Sequence, residues 1–198
     1  MRYLLLVSIL IAAPAGAQEP AAEPEMSATH LAFFEPFIGE WRGAPREFGG
    51  RMVAGSSIFS WQGNKAHIRW KADLERDGEV LPSFDAQIMW DPIEARAEYM
   101  FPLGFRSGFA VQESGYFTPT PKGMIRQVDV RYGEGVPLPP DGKEVASEGG
   151  YSRLFVQTFE VVDEDTFRTK VMYLTDEGEW KSNLVGDDGD WIVMRRVK

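Results

Sequence analysis

The chain has no cysteine, and its 198 residues include only two histidines, His30 and His67. The first absence excludes a disulfide framework and a thiolate nucleophile. The two imidazoles lie far apart in the chain and do not make the clustered ligand set that a metal needs. Each is expected to be exposed or locally bonded, and no metal site is expected. No G-x-S-x-G turn is present to hold a serine nucleophile, so no catalytic residue is assigned. Bases are also in short supply: 21 Lys and Arg stand against 30 Asp and Glu, a net charge of −9. An acidic surface of this kind repels nucleic acid and anionic membranes, and neither is an expected partner. The acidic stretches "GDDGD" (186–190) and "DEDT" (163–166) lack the spacing and closing glutamate of a calcium loop. They read as hairpin turns.

Long apolar runs are missing too, with one exception. "MRYLLLVSILIAAPAGAQEP" places Arg2 before an apolar stretch from Leu4 to Ala13, then Ala15-Gly16-Ala17. The stretch falls short of the roughly 20 residues needed to span a bilayer. Its small-residue ending predicts a cleaved secretory signal over residues 1–17, hence a secreted, most plainly periplasmic, protein. Residues 18–28 are rich in Pro, Ala and Glu, with little to bury, and read as a flexible leader. Residues 29–198 suit one domain.

What the chain does have is alternation. In "KAHIRWKADLE", Ala66, Ile68, Trp70, Ala72 and Leu74 fall on one face, with His67, Arg69, Lys71 and Asp73 on the other. The same period of two runs through Phe84, Ala86, Ile88 and Trp90. It recurs in Ala97, Tyr99 and Phe101, in Met124, Val128, Val130 and Tyr132, and in Phe167, Thr169, Val171 and Tyr173. Short polar turns such as "ERDGE", "DPIE" and "TDEGE" separate these runs. The pattern predicts an all-β protein, an antiparallel up-and-down barrel of about eight to ten strands with a short N-terminal helical turn in "THLAFFEPF". Closure removes the sheet edges. A two-sheet sandwich is the competing architecture. The core is to be supplied by six Trp, thirteen Phe and six Tyr.

The segment "PFIGEWRG" sets Gly39-Glu40-Trp41 on the first strand directly after the helical turn, and "WIVMRRV" closes the chain. This layout resembles the calycin superfamily, the lipocalins and their relatives, and in particular exported bacterial lipocalin-like domains of unknown function. The resemblance implies that Gly39 and Trp41 are structural, that Trp41 closes one barrel end, and that a basic side chain from the last strand packs across its ring. Arg195 and Arg196 are both candidates. Arg195, on the same strand face as Trp191 and Val193, is the one expected. Nitrobindins share the Gly-x-Trp opening but bind haem through a histidine near the C-terminus. No histidine follows His67, so no cofactor is expected.

If the barrel is hollow, its proposed lining is Ile68, Trp70, Ile88, Trp90, Tyr99, Phe101, Val128 and Tyr173. Two charges interrupt the inward faces: Glu113, among Phe109, Val111 and Phe117, and Arg126 on the next strand. With "TPTPKG" as the turn they are expected about opposite each other, either as a polar anchor for a ligand or as a structural ion pair. The long irregular stretch after Tyr132 and the Gly-flanked Phe105 are candidate rims of a mouth. The expectation is a non-enzymatic barrel that binds a small hydrophobic or amphipathic molecule. The alternatives are an envelope protein whose barrel is filled by its own side chains, and a carboxylate-dependent enzyme acting inside the barrel.

Overall fold

The structure is a computed structural model that describes residues 24–48, 50–106, 109–138, 145–182 and 191–198. The signal segment and the "GDDGD" turn lie outside the described residues. So do the side chains of Phe84, Phe105 and Phe109. Two short helical elements come first, α1 (Pro24–His30) and the 3-10 helix η1 (Ala32–Phe37). Helix α1 begins inside the stretch read as leader.

Twelve strands follow: β1 (Gly39–Gly43), β2 (Arg46–Phe48), β3 (Arg51–Gln62), β4 (His67–Arg76), β5 (Glu79–Asp91), β6 (Arg96–Arg106), β7 (Phe109–Thr120), β8 (Gly123–Tyr132), β9 (Tyr151–Asp163), β10 (Thr166–Leu174), β11 (Trp180–Ser182) and β12 (Ile192–Arg196). From β3 to β10 every strand pairs with its sequence neighbour. Strand β12 then pairs with β10 and β1, and β1 returns to β3, which closes a ring of ten antiparallel strands. Strands β2 and β11 are short additions beside β3 and β10. The expected all-β barrel is therefore present, and the sandwich is not.

The alternation in sequence is the alternation in burial. Along β8 the residues from Met124 to Val130 are buried at every second position, as a strand with one face on a core requires. Turn chemistry sets the register. Asp77 and Gly78 both take positive φ, 52° and 85°, the conformation that an Asp-Gly hairpin turn supplies without strain. Between β5 and β6, the Asp91 carboxylate accepts from the backbone N–H groups of Ile93 and Glu94 at 2.8 and 3.2 Å. That Asx-type turn holds the hairpin.

Because the strands run as a meander, the turns after β3, β5, β7 and β9 share one barrel end. Helix η1 plugs it. Leu31, Phe34 and Phe37 are fully buried, and burying each side chain contributes about 1.5–3 kcal/mol. Phe37 meets Phe167 and Phe159 edge-on at 5.4 and 6.1 Å, and Phe34 meets Phe117 at 5.0 Å. Glu35 ties the plug to the β3–β4 turn, accepting from Trp61 Nε1 at 3.2 Å and from Lys65 Nζ at 3.0 Å. At the opposite end the long β8–β9 connection folds back through a Pro137–Val145 bridge and buries Val136, Leu138 and Ala146.

Two expectations change at the ring closure and in the β7–β8 hairpin. The guanidinium over Trp41 is that of Arg196, 4.2 Å from the ring centroid, and not that of Arg195. Arg196 pairs with Trp41 in register, and Met194 is the buried residue next to it on that face. Arg195 is exposed. The reason is on the other side of the strand: Arg168 covers the Trp191 ring at 4.3 Å, so that aromatic finds its partner outside the pattern expected for an inward face. In the hairpin, Thr120 pairs with Gly123 around a two-residue turn, which sets Glu113 opposite Val130 and Arg126 opposite Phe117. The two charges share the inward face without standing opposite each other.

Candidate ligand-binding site

The two charges nonetheless meet. Glu113 and Arg126 are only 2% and 5% exposed, and Arg126 Nη1 lies 3.4 Å from Glu113 Oε2. Between them on the inward face of β7 stands Gly115, paired with Val128. It has no side chain to block the diagonal route of the arginine. A Cβ there would lie 2.0 Å from the Gln127 carbonyl oxygen, so the strands approach too closely for any other residue. The Tyr99 hydroxyl donates to the same Glu113 oxygen at 2.8 Å. The Arg126 guanidinium lies against both Trp70 and Tyr99, at 4.9 and 4.7 Å from their ring centroids. A buried charge is tolerated where hydrogen bonds and an opposite charge compensate its lost hydration; stacking on aromatic faces adds to this.

Trp70 is the boundary of the filled half of the barrel. It stacks on Phe59 at 5.0 Å and meets Phe159 edge-on at 5.6 Å, and the plug aromatics lie beyond. On its other side the interior residues turn small or polar. A cavity of about 340 Å³ is lined by Trp70 together with Gly55, Ser57, Ala72, Val171, Ile192 and Met194, among others. Gln157 and Thr169 supply its buried polar wall, joined by a Gln157 Nε2 donation to Thr169 Oγ1 at 3.0 Å. Trp70 Nε1 lies 3.4 Å from Ser57 Oγ. The cavity extends to Ala44, Arg46 and Val53, at the barrel end opposite the plug.

Of the lining expected from the sequence, Trp70 is on this cavity wall. Ile68, Ile88, Tyr99, Phe101, Val128 and Tyr173 are all buried in the hydrophobic core. Trp90 packs against that core and stacks on His30 at 4.3 Å with the rings nearly parallel. His30 thus serves as an aromatic lid on Trp90. His67 borders a groove on the outside of the barrel with Arg69 and Asp85. Glu113 and Arg126 are not among the residues lining the cavity; Arg126 lies against Trp70, which is. Gly55, Ser57, Gln157 and Arg46 escaped the sequence reading, and Thr169 was placed on an inward face but not in the lining. The available signal was the run of small residues "VAGSS" at the start of β3.

Among the described residues there is no group of three or more His, Asp or Glu side chains placed to hold a metal ion. No described helix is long and apolar enough to cross a membrane.

Fold and site together define a closed antiparallel β-barrel, plugged with aromatics at one end and hollow toward the other. Its structure is similar to that of Rv2717c from M. tuberculosis, with a TM-score of 0.51 at 14% identity, covering 85% of this chain and 98% of that one. At that identity the likeness shows the fold alone. No protein-family model matches the chain, and no curated protein matches it.

Proposed function

We propose that this is an exported lipocalin-like barrel that binds a small amphipathic molecule in the cavity beside Trp70. The observation that carries the reading is the 340 Å³ cavity itself. Ligand pockets run from about 300 to 1,000 Å³ and combine apolar walls with a few placed polar groups. Here the apolar walls are Trp70, Val171, Ile192 and Met194, and the polar groups are Gln157 and Thr169. Gly39, Trp41 and the basic side chain across the Trp41 ring support the lipocalin-like part of the reading. The Leu4–Ala17 pattern supports export to the periplasm.

Gly55 offers the decisive test. A Cβ built on it meets nothing within 4 Å, so a Gly55→Leu side chain enters the cavity without moving backbone. Native mass spectrometry of the secreted protein is expected to show a co-purifying small molecule in the wild type and none in Gly55→Leu. The same spectra should give a chain beginning at Gln18. A wild type that is always empty, with Gly55→Leu raising stability as a filled void would, favours the second reading, a barrel packed for its own sake. The aromatic layer from Phe37 to Trp70 is what speaks for that reading.

A further inference from the structure

We propose that the cavity takes a neutral molecule that presents a carbonyl and an N–H side by side on an apolar body, a primary amide or a lactam, held by Gln157 and Thr169. The inference rests on the cavity reading above and names the chemistry of its ligand.

Gln157 and Thr169 are only 8% and 6% exposed, and both line the cavity. They come from neighbouring strands, β9 and β10. Gln157 stands opposite Val171, and Thr169 opposite Phe159, so the two are diagonal neighbours on the inward face. Their mutual bond uses one amide hydrogen of Gln157 and one lone pair of Thr169. The Gln157 carbonyl oxygen and the Thr169 hydroxyl proton make no hydrogen bond among the described residues. The Gln157 oxygen is also not sealed inside the wall, so it stays open to the space it lines. Buried side-chain polar atoms as a rule have a partner, and a group left without one costs free energy. One free acceptor beside one free donor is complementary to the N–H and C=O of an amide.

The neutrality of the ligand follows from the surroundings. The wall beside the polar pair is apolar, made by Val171, Ile192, Met194 and Trp70. Arg126, opposite Gln157 on β8, is committed to Glu113. The charged residues that line the cavity, Arg46 and Asp73, belong to β2 and β4 and have opposite signs. A charged headgroup drawn against Gln157 and Thr169 would lose its hydration and gain no counter-charge there. The size follows from the volume. At about 30 Å³ per molecule of liquid water, 340 Å³ corresponds to about eleven water-sized atoms. Octanamide, with ten heavy atoms, is of that size.

The experiment is calorimetric titration of the mature protein with octanamide, methyl octanoate, octanol and octanoate. It is repeated on Gln157→Leu, Thr169→Val and Gly55→Leu, with folding checked by urea denaturation. Octanamide is expected to bind the wild type about tenfold more tightly than methyl octanoate, which keeps the carbonyl and lacks the N–H, the scale of one buried polar group left unpaired. Octanol and octanoate should also bind more weakly than octanamide. Gln157→Leu should remove the advantage of the amide over the ester. Thr169→Val, which keeps the shape and removes the donor to the carbonyl, should weaken amide and ester alike. Gly55→Leu should remove all four. Equal binding of amide and ester, untouched by Gln157→Leu, would overturn the role of Gln157 and leave the cavity reading standing. Tighter binding of octanoate would overturn the neutral assignment, and tighter binding of octanol the amide assignment. Failure of all four to bind the wild type would overturn both the assignment and the cavity reading beneath it.

Discussion

Arg196 lies across the indole of Trp41 and donates from Nη1 to the Ile38 carbonyl at 2.7 Å and from Nη2 to the Pro36 carbonyl at 3.2 Å. Trp41 Nε1 in turn donates to the Phe37 carbonyl at 2.6 Å. One arginine and one tryptophan therefore satisfy three consecutive carbonyls where the chain leaves η1 and enters β1. This linkage orients the plug.

Trp41→Ala is expected to destabilise the protein by about 3–5 kcal/mol, the range for deleting a large buried aromatic. Arg196→Ala should cost about 1–3 kcal/mol through the lost ring contact and three charge-assisted bonds, the third from Nε to the Glu164 carbonyl at 3.2 Å. Arg195→Ala should stay within about 0.5 kcal/mol, as exposed substitutions do. Urea denaturation midpoints order the three variants. An Arg195→Ala midpoint below that of Arg196→Ala would contradict the strand phase described for β12.

Removing one member of the Glu113–Arg126 pair strands the other charge. Glu113→Leu or Arg126→Met alone is expected to cost about 3–5 kcal/mol, and the double variant distinctly less than the sum. Retention of the co-purifying small molecule by the folded double variant reports on Trp70. If the pair only holds that ring in place, affinity falls little; if it polarises the cavity wall, affinity falls with the charges. Two mild single variants would contradict the buried geometry.

Gly115 and Gly55 should respond to alanine with opposite signs. At Gly115 the new Cβ meets the Gln127 carbonyl oxygen at 2.0 Å and the Val128 Cα at 2.7 Å. The strands must part, and the cost should exceed the roughly 1–3 kcal/mol of ordinary overpacking. At Gly55 nothing is displaced, and Gly55→Ala should stabilise by about 0.4–1 kcal/mol by restricting the unfolded chain. Paired denaturation curves decide the matter.

Acid titration should single out Asp85. Its hydrogen bond from Arg69 Nε, 2.7 Å long, holds its carboxyl pKa below the ordinary value, and nearby positive charge acts in the same direction. A depressed folded-state pKa means stability that is complete above the unfolded value of about 3.9 and is lost as pH falls through the folded one. Carboxyl-carbon NMR should show Asp85 titrating below the ordinary range, and more nearly at it in Arg69→Gln. The pair is exposed and screened by solvent, so its loss at neutral pH should move the denaturation midpoint little.

The strands were legible because each couples a chemical contrast to a geometric one. In β4, Ile68 and Trp70 alternate with His67 and Arg69, and only one face can go inward. Strand β12 has no such contrast. Trp191 and Val193 compete with Ile192 and Met194, so tertiary contacts decide, and Arg168 on one side and Trp41 on the other decide for Met194 and Arg196. The inward direction of Glu113 and Arg126 was legible, but their pairing was not, since it depends on a two-residue turn at Pro121-Lys122 and a missing side chain at Gly115. The cavity was least legible. A void is bounded by what residues lack: Gly55 and Ser57 leave no apolar period to count, and Ala72 and Thr169, though in phase with inward faces, are too small to fill the space.

The ring closes through β1, which has β3 on one edge and β12 on the other. The bond from Arg196 to the Ile38 carbonyl joins residues 158 positions apart. Synthesis delivers these partners far apart in time. Until β12 emerges, β1 and β10 each present an unpaired edge, the feature that templates pairing with other chains. Such distant contacts also slow folding, since the loop entropy must be met before they form. A barrel built this way is open to edge pairing until β12 is in place. It gains from being held extended by a chaperone or a translocase until the last strand is available.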